Sequence, residues 1–327
     1  MKSNELAASI FSGEAHARLA RAADVISADV LTEFASARAL AVLAEADVLI
    51  TGWGCPPIDG TVLDAAPRLR LLAHSAGTVK GHIDREAWHR GVAVTTAAQA
   101  NGVPVAEYTL AFILLSAKAV LQSAAHFSRL QDMSAKELLP PTIGNMGSTV
   151  GIIGASRVGR RVLELLRPFS HRILITSPEL TDDDARELGG TLVPLDRLLA
   201  ESDVVSLHAP VLPSTIGMIG REQLAAMKDG ATFINTARGL LVDHDALRDE
   251  AVSGRITAIL DVTHPEPLPP GDPLYRLPNV VLTPHVAGSM GNELPLMGDY
   301  TVTEVERFAA GEPLVYPVTL DDLDRMA

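Results

Sequence analysis

The sequence predicts an α/β protein made of two domains, each a doubly wound parallel sheet. Short β-branched runs alternate with helical patterns between residues 149 and 285, and a weaker alternation occupies the first hundred residues. This rhythm is typical of parallel sheets with helices on both faces. A glycine-bearing turn, "GASRVG" (154–159), follows the first run of the stronger series. With 327 residues and 47% hydrophobic composition, the chain can bury a core in each domain.

The first domain begins without a clear opening strand. Its candidate strands are "ADVLI" (46–50), "RLLAH" (70–74) and "VAVTT" (92–96). Asn101 then precedes "VPVAEYTLAFILLSAKAVLQSAAHF" (103–127), an apolar stretch that predicts one long helix with Pro104 near its first turn. We expect this helix to join the two domains.

The second domain shows the stronger alternation. Its candidate strands are "TVGII", "RILIT", "DVVSL", "ATFIN", "TAILD" and "NVVLT". Helices are predicted at 158–169, 222–227 and 244–252, the last ending at Gly254. An amphipathic segment, "YTVTEVERFAAGEP" (300–313), is expected to return the chain to the first domain. The predicted domains are therefore 1–100 with 295–327, and 101–294 inserted between them.

The turn "GASRVG" keeps Gly154 and Gly159 at the first and third positions of a dinucleotide-binding fingerprint. Such a turn predicts a Rossmann-like second domain. Ser156 stands where the middle glycine usually lets the backbone approach a pyrophosphate, and its hydroxyl and Arg157 are candidate phosphate contacts. Taken alone, the incomplete pattern is equally compatible with an ordinary glycine-containing turn.

The composition argues against several classes of partner. A net charge of −13 opposes binding to nucleic acid or to an anionic membrane surface. Cys55 is the only cysteine, which excludes an internal disulfide and a cysteine-built zinc site and fits a reducing cytoplasm. The histidines show no ligand spacing, so we expect no metal. Neither a signal peptide nor a membrane-spanning run is evident, so we expect a cytoplasmic protein.

Three later segments occur in order: "INTARGLLVD" (234–243), "LDVTHPEP" (260–267) and "LTPHVAGS" (282–289). They resemble the signature segments of the D-isomer-specific 2-hydroxyacid dehydrogenases. The stretches "SLHAPVLPSTIGMIG" (206–220) and "NGVPVAEYTLAFILL" (101–115) support the resemblance, which covers most of residues 70–312. It implies an oxidoreductase that transfers a hydride between NAD(H) and a small D-2-hydroxy acid or 2-oxo acid. The inserted domain would bind the cofactor and the first domain the substrate, and residues 120–147 would form a homodimer.

The resemblance also implies catalytic roles for Arg238, Glu266 and His285. Reduction of a 2-oxo acid needs a proton at the carbonyl oxygen, and histidine exchanges protons near neutrality. Glu266 would orient the imidazole and favour its protonated form. The planar guanidinium of Arg238 would hold the substrate carboxylate and polarise its carbonyl. Taken singly, each of these residues is more often structural or solvent-exposed.

Further positions are implied for the cofactor. Asp261 matches the position that binds the nicotinamide carboxamide. Ser177 stands where NAD-preferring relatives have an aspartate for the ribose hydroxyls. The acidic residues Glu179 and 182–184 favour NAD, while NADP stays open. The full predicted set of cofactor-binding residues is Gly154, Ser156, Arg157, Val158, Ser177, His208, Pro210, Thr215, Thr236, Ala237, Asp261 and Gly288.

The substrate loop departs from the family pattern. In "SAGTVKGHID" (75–84), Gly77 is kept, but Ser75 replaces the usual arginine and Val79 a glycine. The backbone N–H groups of Thr78 and Val79 are the expected carboxylate contacts. The identity of the acid stays open. Three alternative functions also stay open: formate oxidation, phosphite oxidation and a role as a cofactor-binding corepressor. Glu266 argues against formate oxidation, because the formate-oxidising relatives have glutamine at this position.

Overall fold

The computed structural model describes residues 1–140 and 143–325 and confirms the α/β fold class. Its strands are β1 (Val48–Thr51), β2 (Leu71–His74), β3 (Ala93–Thr96), β4 (Thr149–Ile153), β5 (Arg172–Thr176), β6 (Thr191–Leu192), β7 (Val204–Leu207), β8 (Thr232–Asn235), β9 (Thr257–Leu260) and β10 (Val280–Leu282). Its α-helices are α1 (Asn4–Ile10), α2 (Gly13–Ala22), α3 (Ala37–Glu45), α4 (Gly60–Ala65), α5 (Glu86–His89), α6 (Ala98–Ala117), α7 (Val120–Leu130), α8 (Arg157–Leu166), α9 (Asp182–Glu187), α10 (Leu195–Glu201), α11 (Arg221–Ala225), α12 (His244–Ser253), α13 (Leu294–Ala310) and α14 (Leu320–Arg325).

The chain divides into two units. The first comprises Met1–Gly102 and the segment that returns at Ser289, and the second comprises Val103–Gly288. The second unit is thus inserted in the sequence of the first. Their predicted roles as substrate and cofactor domains stay a prediction.

The first unit contains a parallel sheet in the order β1-β2-β3. Leu72 of the central strand packs into the core that includes helices α3, α4 and α5. Leu71 and Ala73 point to the opposite face, where α1, α2 and α13 cover the sheet. This alternation buries both faces of β2, as a doubly covered parallel strand requires.

The second unit contains a parallel sheet in the order β10-β9-β8-β7-β4-β5-β6. Strand β4 lies between β5 and β7, so the chain reverses its direction of travel across the sheet at β4. Open α/β sheets bind ligands outside the carboxyl ends of the strands at such a switch point. Successive residues of β8 alternate between two cores: Phe233 packs into one and Ile234 into the other.

The predicted long helix differs from the structure in two ways. It begins at Ala98, so Pro104 lies inside it rather than in its first turn. It also ends at Ala117, because Ala119 adopts a left-handed conformation (φ 48°) that separates α6 from α7. No glycine or proline marks this break.

Of the helices in the described ranges, α6 alone is long and apolar enough to cross a membrane, with a mean hydropathy of 1.2. Its Ala106 and Ile113 are fully buried in the core of the second unit. The same length and composition are found in core helices of globular proteins.

Candidate active site

The predicted site residues of the second unit follow the carboxyl ends of its strands. Because the strands are parallel, these ends share one edge of the sheet. Gly154 follows β4, Ser177 follows β5, His208 follows β7, Thr236 to Arg238 follow β8, Asp261 follows β9, and His285 lies three residues beyond β10.

The glycine-rich turn has the close approaches that its sequence predicts. Gly154 has φ 93°, and a Cβ there would lie 2.6 Å from the backbone nitrogen of Ala209. A Cβ on Gly159 would lie 2.2 Å from the carbonyl oxygen of Gly154. Only glycine therefore fits either position without a shift of the backbone.

Ser156 begins α8 as its N-cap. Its hydroxyl oxygen accepts a hydrogen bond from the Gly159 N–H at 3.4 Å, so the side chain folds against the first turn of the helix. A helix N-terminus that follows a tight glycine turn is an anion-binding arrangement, and α8 is ten residues long. This turn fits a dinucleotide pyrophosphate. Arg157 and Val158 form the first turn of the same helix.

His285 and Glu266 are in direct contact. The imidazole Nδ1 lies 2.7 Å from a Glu266 carboxylate oxygen, and 50% of the His285 side chain is exposed. Because a carboxylate only accepts, Nδ1 carries the hydrogen, and Nε2 is the nitrogen left for proton exchange with a ligand. A pair arranged in this way can transfer a proton at Nε2 while the carboxylate holds the ring.

Asp261 holds the backbone that carries His285. Its carboxylate accepts from the Thr283 hydroxyl at 2.7 Å, the Val286 N–H at 2.8 Å and the Ala287 N–H at 3.0 Å. The residue is 2% exposed. His285 has a left-handed backbone (φ 55°), which costs free energy for a residue other than glycine and persists only where the surroundings impose it. The Asp261 contacts provide that constraint.

Tyr108 extends this hydrogen-bonded chain and was not predicted. Its hydroxyl lies 2.7 Å from the Thr283 hydroxyl oxygen. Since Thr283 has already committed its only hydrogen to Asp261, Tyr108 must be the donor. Burial raises the pKa of Tyr108, which keeps the hydroxyl protonated. The sequence places Tyr108 in the "AEYTL" stretch but gives no sign of its partner.

Arg238 follows β8 and is partly buried. Its guanidinium donates to the Ala237 carbonyl at 2.6 Å. Burial lowers the pKa of Arg238, and the Glu266 carboxylate opposes that shift. Buried Asn235 fixes the backbone here, because its amide accepts from the Ala237 N–H and donates to the Arg238 carbonyl, both at 3.0 Å. The structure therefore brings Arg238 and Glu266 close enough to interact electrostatically.

The loops that carry Arg238 and Glu266 approach each other through Gly239. A Cβ at Gly239 would lie 2.0 Å from the Thr263 carbonyl oxygen. His244 supports the same region: its Nδ1 lies 3.1 Å from the Val242 carbonyl, and its Nε2 accepts from the His264 N–H at 3.2 Å. This pattern requires a neutral ring with the hydrogen on Nδ1, and burial lowers the pKa of His244 accordingly. Sequence reasoning assigned His244 no role.

The other predicted cofactor positions follow β7, β8 and β10 in the sequence. His208 is 3% exposed, contacts the Ser206 hydroxyl at 2.9 Å, and has its pKa lowered by burial to about 4. Thr215 closes its own loop by donating to the Pro210 carbonyl at 2.6 Å. The Thr236 hydroxyl lies 3.0 Å from that of Thr109. Ala237 packs partly against the core, and Gly288 is the last residue of the second unit.

The predicted substrate loop lies in the first unit, after β2. The Thr96 hydroxyl donates to the carbonyls of Ala76, at 2.9 Å, and Gly77. The Thr78 hydroxyl accepts from the Lys80 N–H at 3.1 Å, and the Val79 side chain is fully buried. The hydroxyls of Thr96 and Thr78 thus hold the backbone of the loop, and Thr78 and Val79 lie at its turn.

A buried histidine precedes this loop. His74 is 1% exposed, and its Nδ1 lies 2.8 Å from the Thr51 hydroxyl. Burial, with the nearby His82 ring, lowers the pKa of His74 to about 3. His74 is therefore neutral at physiological pH. In residues 1–140 and 143–325, no three histidine, cysteine or acidic side chains form a metal-binding group.

Comparison with known proteins identifies a family that this chain resembles. Residues 110–287 match the family model described as "D-isomer specific 2-hydroxyacid dehydrogenase, NAD binding domain". A glyoxylate reductase of Korarchaeum cryptofilum is 36% identical over 258 residues, which are 78% of this chain and 78% of that protein. A D-3-phosphoglycerate dehydrogenase of Archaeoglobus fulgidus is 34% identical over 269 residues, 82% of this chain but 50% of that protein. The chain thus spans about half the length of this second relative.

A solved structure is also similar to this chain. The phosphoglycerate oxidoreductase from Rhizobium etli is 28% identical, with a TM-score of 0.77, and the match covers 94% of this chain and 93% of that one. The predicted family and enzyme class are therefore confirmed. This chain belongs to the D-isomer specific 2-hydroxyacid dehydrogenases and is an oxidoreductase with an NAD-binding domain.

Proposed function

We propose that this enzyme interconverts a small 2-oxo acid and its D-2-hydroxy acid with NAD(H), using His285, Glu266 and Arg238. The observation that carries the proposal is the 2.7 Å contact between His285 and Glu266 at the carboxyl edge of a dinucleotide-binding sheet. A histidine with one nitrogen on a carboxylate and the other open is suited to general acid–base catalysis.

In the reducing direction, bound nicotinamide supplies the hydride that adds to the carbonyl carbon. His285 Nε2 donates its proton to the carbonyl oxygen as the double bond opens, which leaves a neutral imidazole and a hydroxyl group. Solvent then restores the proton to His285. Oxidation reverses these movements, with His285 as the base.

Glu266 supports this proton transfer in two ways. Its negative charge favours the imidazolium form, and its hydrogen bond fixes which nitrogen exchanges the proton. In the same proposal, Asp261 contributes by holding the His285 loop, and its remaining lone pairs would accept from the carboxamide of a bound nicotinamide.

Arg238 is proposed to bind the substrate carboxylate and polarise the carbonyl. Its guanidinium presents several donors in a fixed plane, and the Ala237 carbonyl engages one of them at 2.6 Å. The backbone N–H groups of Thr78 and Val79 are proposed as further carboxylate contacts. Since these need no particular side chain, they are compatible with Ser75 in place of the usual arginine.

A homodimer in the cytoplasm is part of the proposal. Helix α7 has no buried residue, and its Val120, Phe127 and Leu130 expose apolar side chains. The segment proposed for pairing, 120–147, contains residues 141–142, which lie outside the described residues. Light scattering at micromolar concentration should give the mass of a dimer, and a monomer would contradict this part.

The activity is tested by a panel of 2-oxo acids with NADH or NADPH, followed by nicotinamide absorbance. Glyoxylate, hydroxypyruvate, pyruvate, 2-oxobutyrate and phenylpyruvate cover small and large side chains. Turnover of at least one acid with NADH is expected. Stoichiometric NADH binding without turnover of any acid would favour a corepressor-like role instead.

A further inference from the structure

We propose that Glu179 binds the adenosine ribose hydroxyls and makes the site selective for NAD(H) over NADP(H), with Ser177 as the residue that positions its carboxylate. This inference rests on the proposed function, because it concerns the cofactor of the same site. It assigns the task of the usual aspartate to a residue two positions further along the chain.

Ser177 links the glycine-rich turn to Glu179. The Ser177 hydroxyl oxygen accepts from the Ala155 N–H at 2.8 Å, and the hydroxyl donates to Glu179 Oε1 at 2.7 Å. Ser177 is 5% exposed. A hydroxyl has one hydrogen, so the bond to Glu179 commits it. Ser177 therefore lacks a donor for the cofactor, whereas Glu179 keeps lone pairs on both oxygens.

The position of Glu179 suits the ribose. Strand β5 pairs directly with β4, whose end forms the turn that fits the pyrophosphate. In dinucleotide-binding folds, the acidic group that follows the second strand accepts hydrogen bonds from the ribose 2′-hydroxyl. Glu179 is exposed, yet its carboxylate is tied to that turn through the single Ser177 hydroxyl. A carboxylate held by such a hydrogen bond can accept from vicinal hydroxyls with less loss of side-chain entropy than an unrestrained one.

Glu179 has no part in capping the helix that follows. Helix α9 is capped by Thr181, whose hydroxyl and N–H both engage the Asp184 carboxylate. The capping groups of α9 are therefore supplied without Glu179. The contact between Ser177 and Glu179 consequently calls for another explanation, and a ligand with hydroxyl groups supplies one.

The surrounding charges oppose a 2′-phosphate. Such a group carries a charge near −2 and would lie against the Glu179 carboxylate, with further acids at the start of α9. On α8, Arg160 Nε donates to the Ala155 carbonyl at 3.0 Å, and the Arg160 charge acts on Asp184. This cation is already engaged by the turn and by an acid.

Calorimetric titration with ADP-ribose and with its 2′-phosphate tests the proposal, because both probes report on the adenosine end without turnover. The parent should bind ADP-ribose at least about tenfold more tightly than the 2′-phosphate. Glu179→Gln removes the charge at constant shape and should weaken ADP-ribose about tenfold while the 2′-phosphate binds no worse, so the ratio collapses. Adding Ser177→Asp to Glu179→Gln should restore tight ADP-ribose binding.

Asp182→Asn is the matched control, since it removes one negative charge from the exposed first turn of α9. It should change the ratio far less than Glu179→Gln does. An equal change of the affinity ratio in Asp182→Asn and Glu179→Gln would mean that the general acidic charge of this region, and not Glu179 in particular, sets the selectivity. That result would overturn the proposal. Unchanged binding in Glu179→Gln, or equal loss of both probes, would also overturn it while leaving the dehydrogenase proposal intact. A parent that binds neither probe would contradict both proposals.

Discussion

Replacing Asp261 by asparagine should destabilise the second unit even without cofactor. The carboxylate accepts three hydrogen bonds at 2.7, 2.8 and 3.0 Å in a site that is 2% exposed. Asparagine has only one acceptor oxygen. Its NH₂ group must therefore face donors that the carboxylate now accepts from, either the Ala287 N–H or the Thr283 hydroxyl together with the Val286 N–H. One charge-assisted bond is lost, which is worth about 1.5 to 3 kcal/mol, and a buried donor is left unpaired. We therefore expect a loss of about 2 to 4 kcal/mol in the free energy of unfolding.

Urea unfolding of the cofactor-free protein measures this loss. Both tryptophans, Trp53 and Trp88, lie in the first unit, so circular dichroism is the signal that includes the second unit. Asp183→Asn is the matched control: its ion pair with Arg186 is mostly exposed, and it should cost less than about 0.5 kcal/mol. If Asp261→Asn unfolds at the urea concentration of the parent and keeps its kcat, Asp261 does not hold the His285 loop.

Three further substitutions test the proposed roles. His285→Gln should bind NADH like the parent but lower kcat by about 10²-fold or more in the absorbance assay, and unchanged turnover would remove His285 from the mechanism. Arg238→Lys keeps the charge but loses the planar fork, so kcat/KM should fall strongly with NADH affinity unchanged by fluorescence titration; an equal loss of affinity would place Arg238 at the cofactor. Ser156→Leu should weaken NADH binding, because a branched side chain would occupy the pyrophosphate position, whereas Ser156→Gly should bind at least as well as the parent; parent-like binding by Ser156→Leu would reduce the turn to a structural one.

The β-strands of the second unit were predictable because buried parallel strands are continuous β-branched runs. The predictions for "TVGII" and "RILIT" coincide with β4 and β5. Strand β6, Thr191–Leu192, is too short to leave such a run. The break at Ala119 escaped prediction because alanine favours a helix locally, so only tertiary packing can impose its left-handed conformation.

The candidate site was predictable where its residues lie in motifs that resemble those of a known family. His285 and Glu266, predicted as partners, lie in contact. The supports of this pair were not predictable, because their roles depend on contacts across the fold. Tyr108 reaches Thr283 over 175 positions, and His244 reaches the His264 N–H over 20. Neither separation follows from the periodicity of a helix or a strand, so no sequence pattern reveals these contacts.

The turnover of Glu266→Gln, measured in the parent and in a His285→Gln background, tests the central claim most directly. Glutamine keeps an oxygen that accepts from His285 Nδ1 but removes the carboxylate charge beside the ring. If Glu266 acts through His285, we expect Glu266→Gln to lower kcat by about tenfold or more in the parent, for the 2-oxo acid that the parent reduces fastest, and to change kcat little once His285 is replaced. Equal losses in both backgrounds would contradict the claim, because they would mean that Glu266 acts independently of His285.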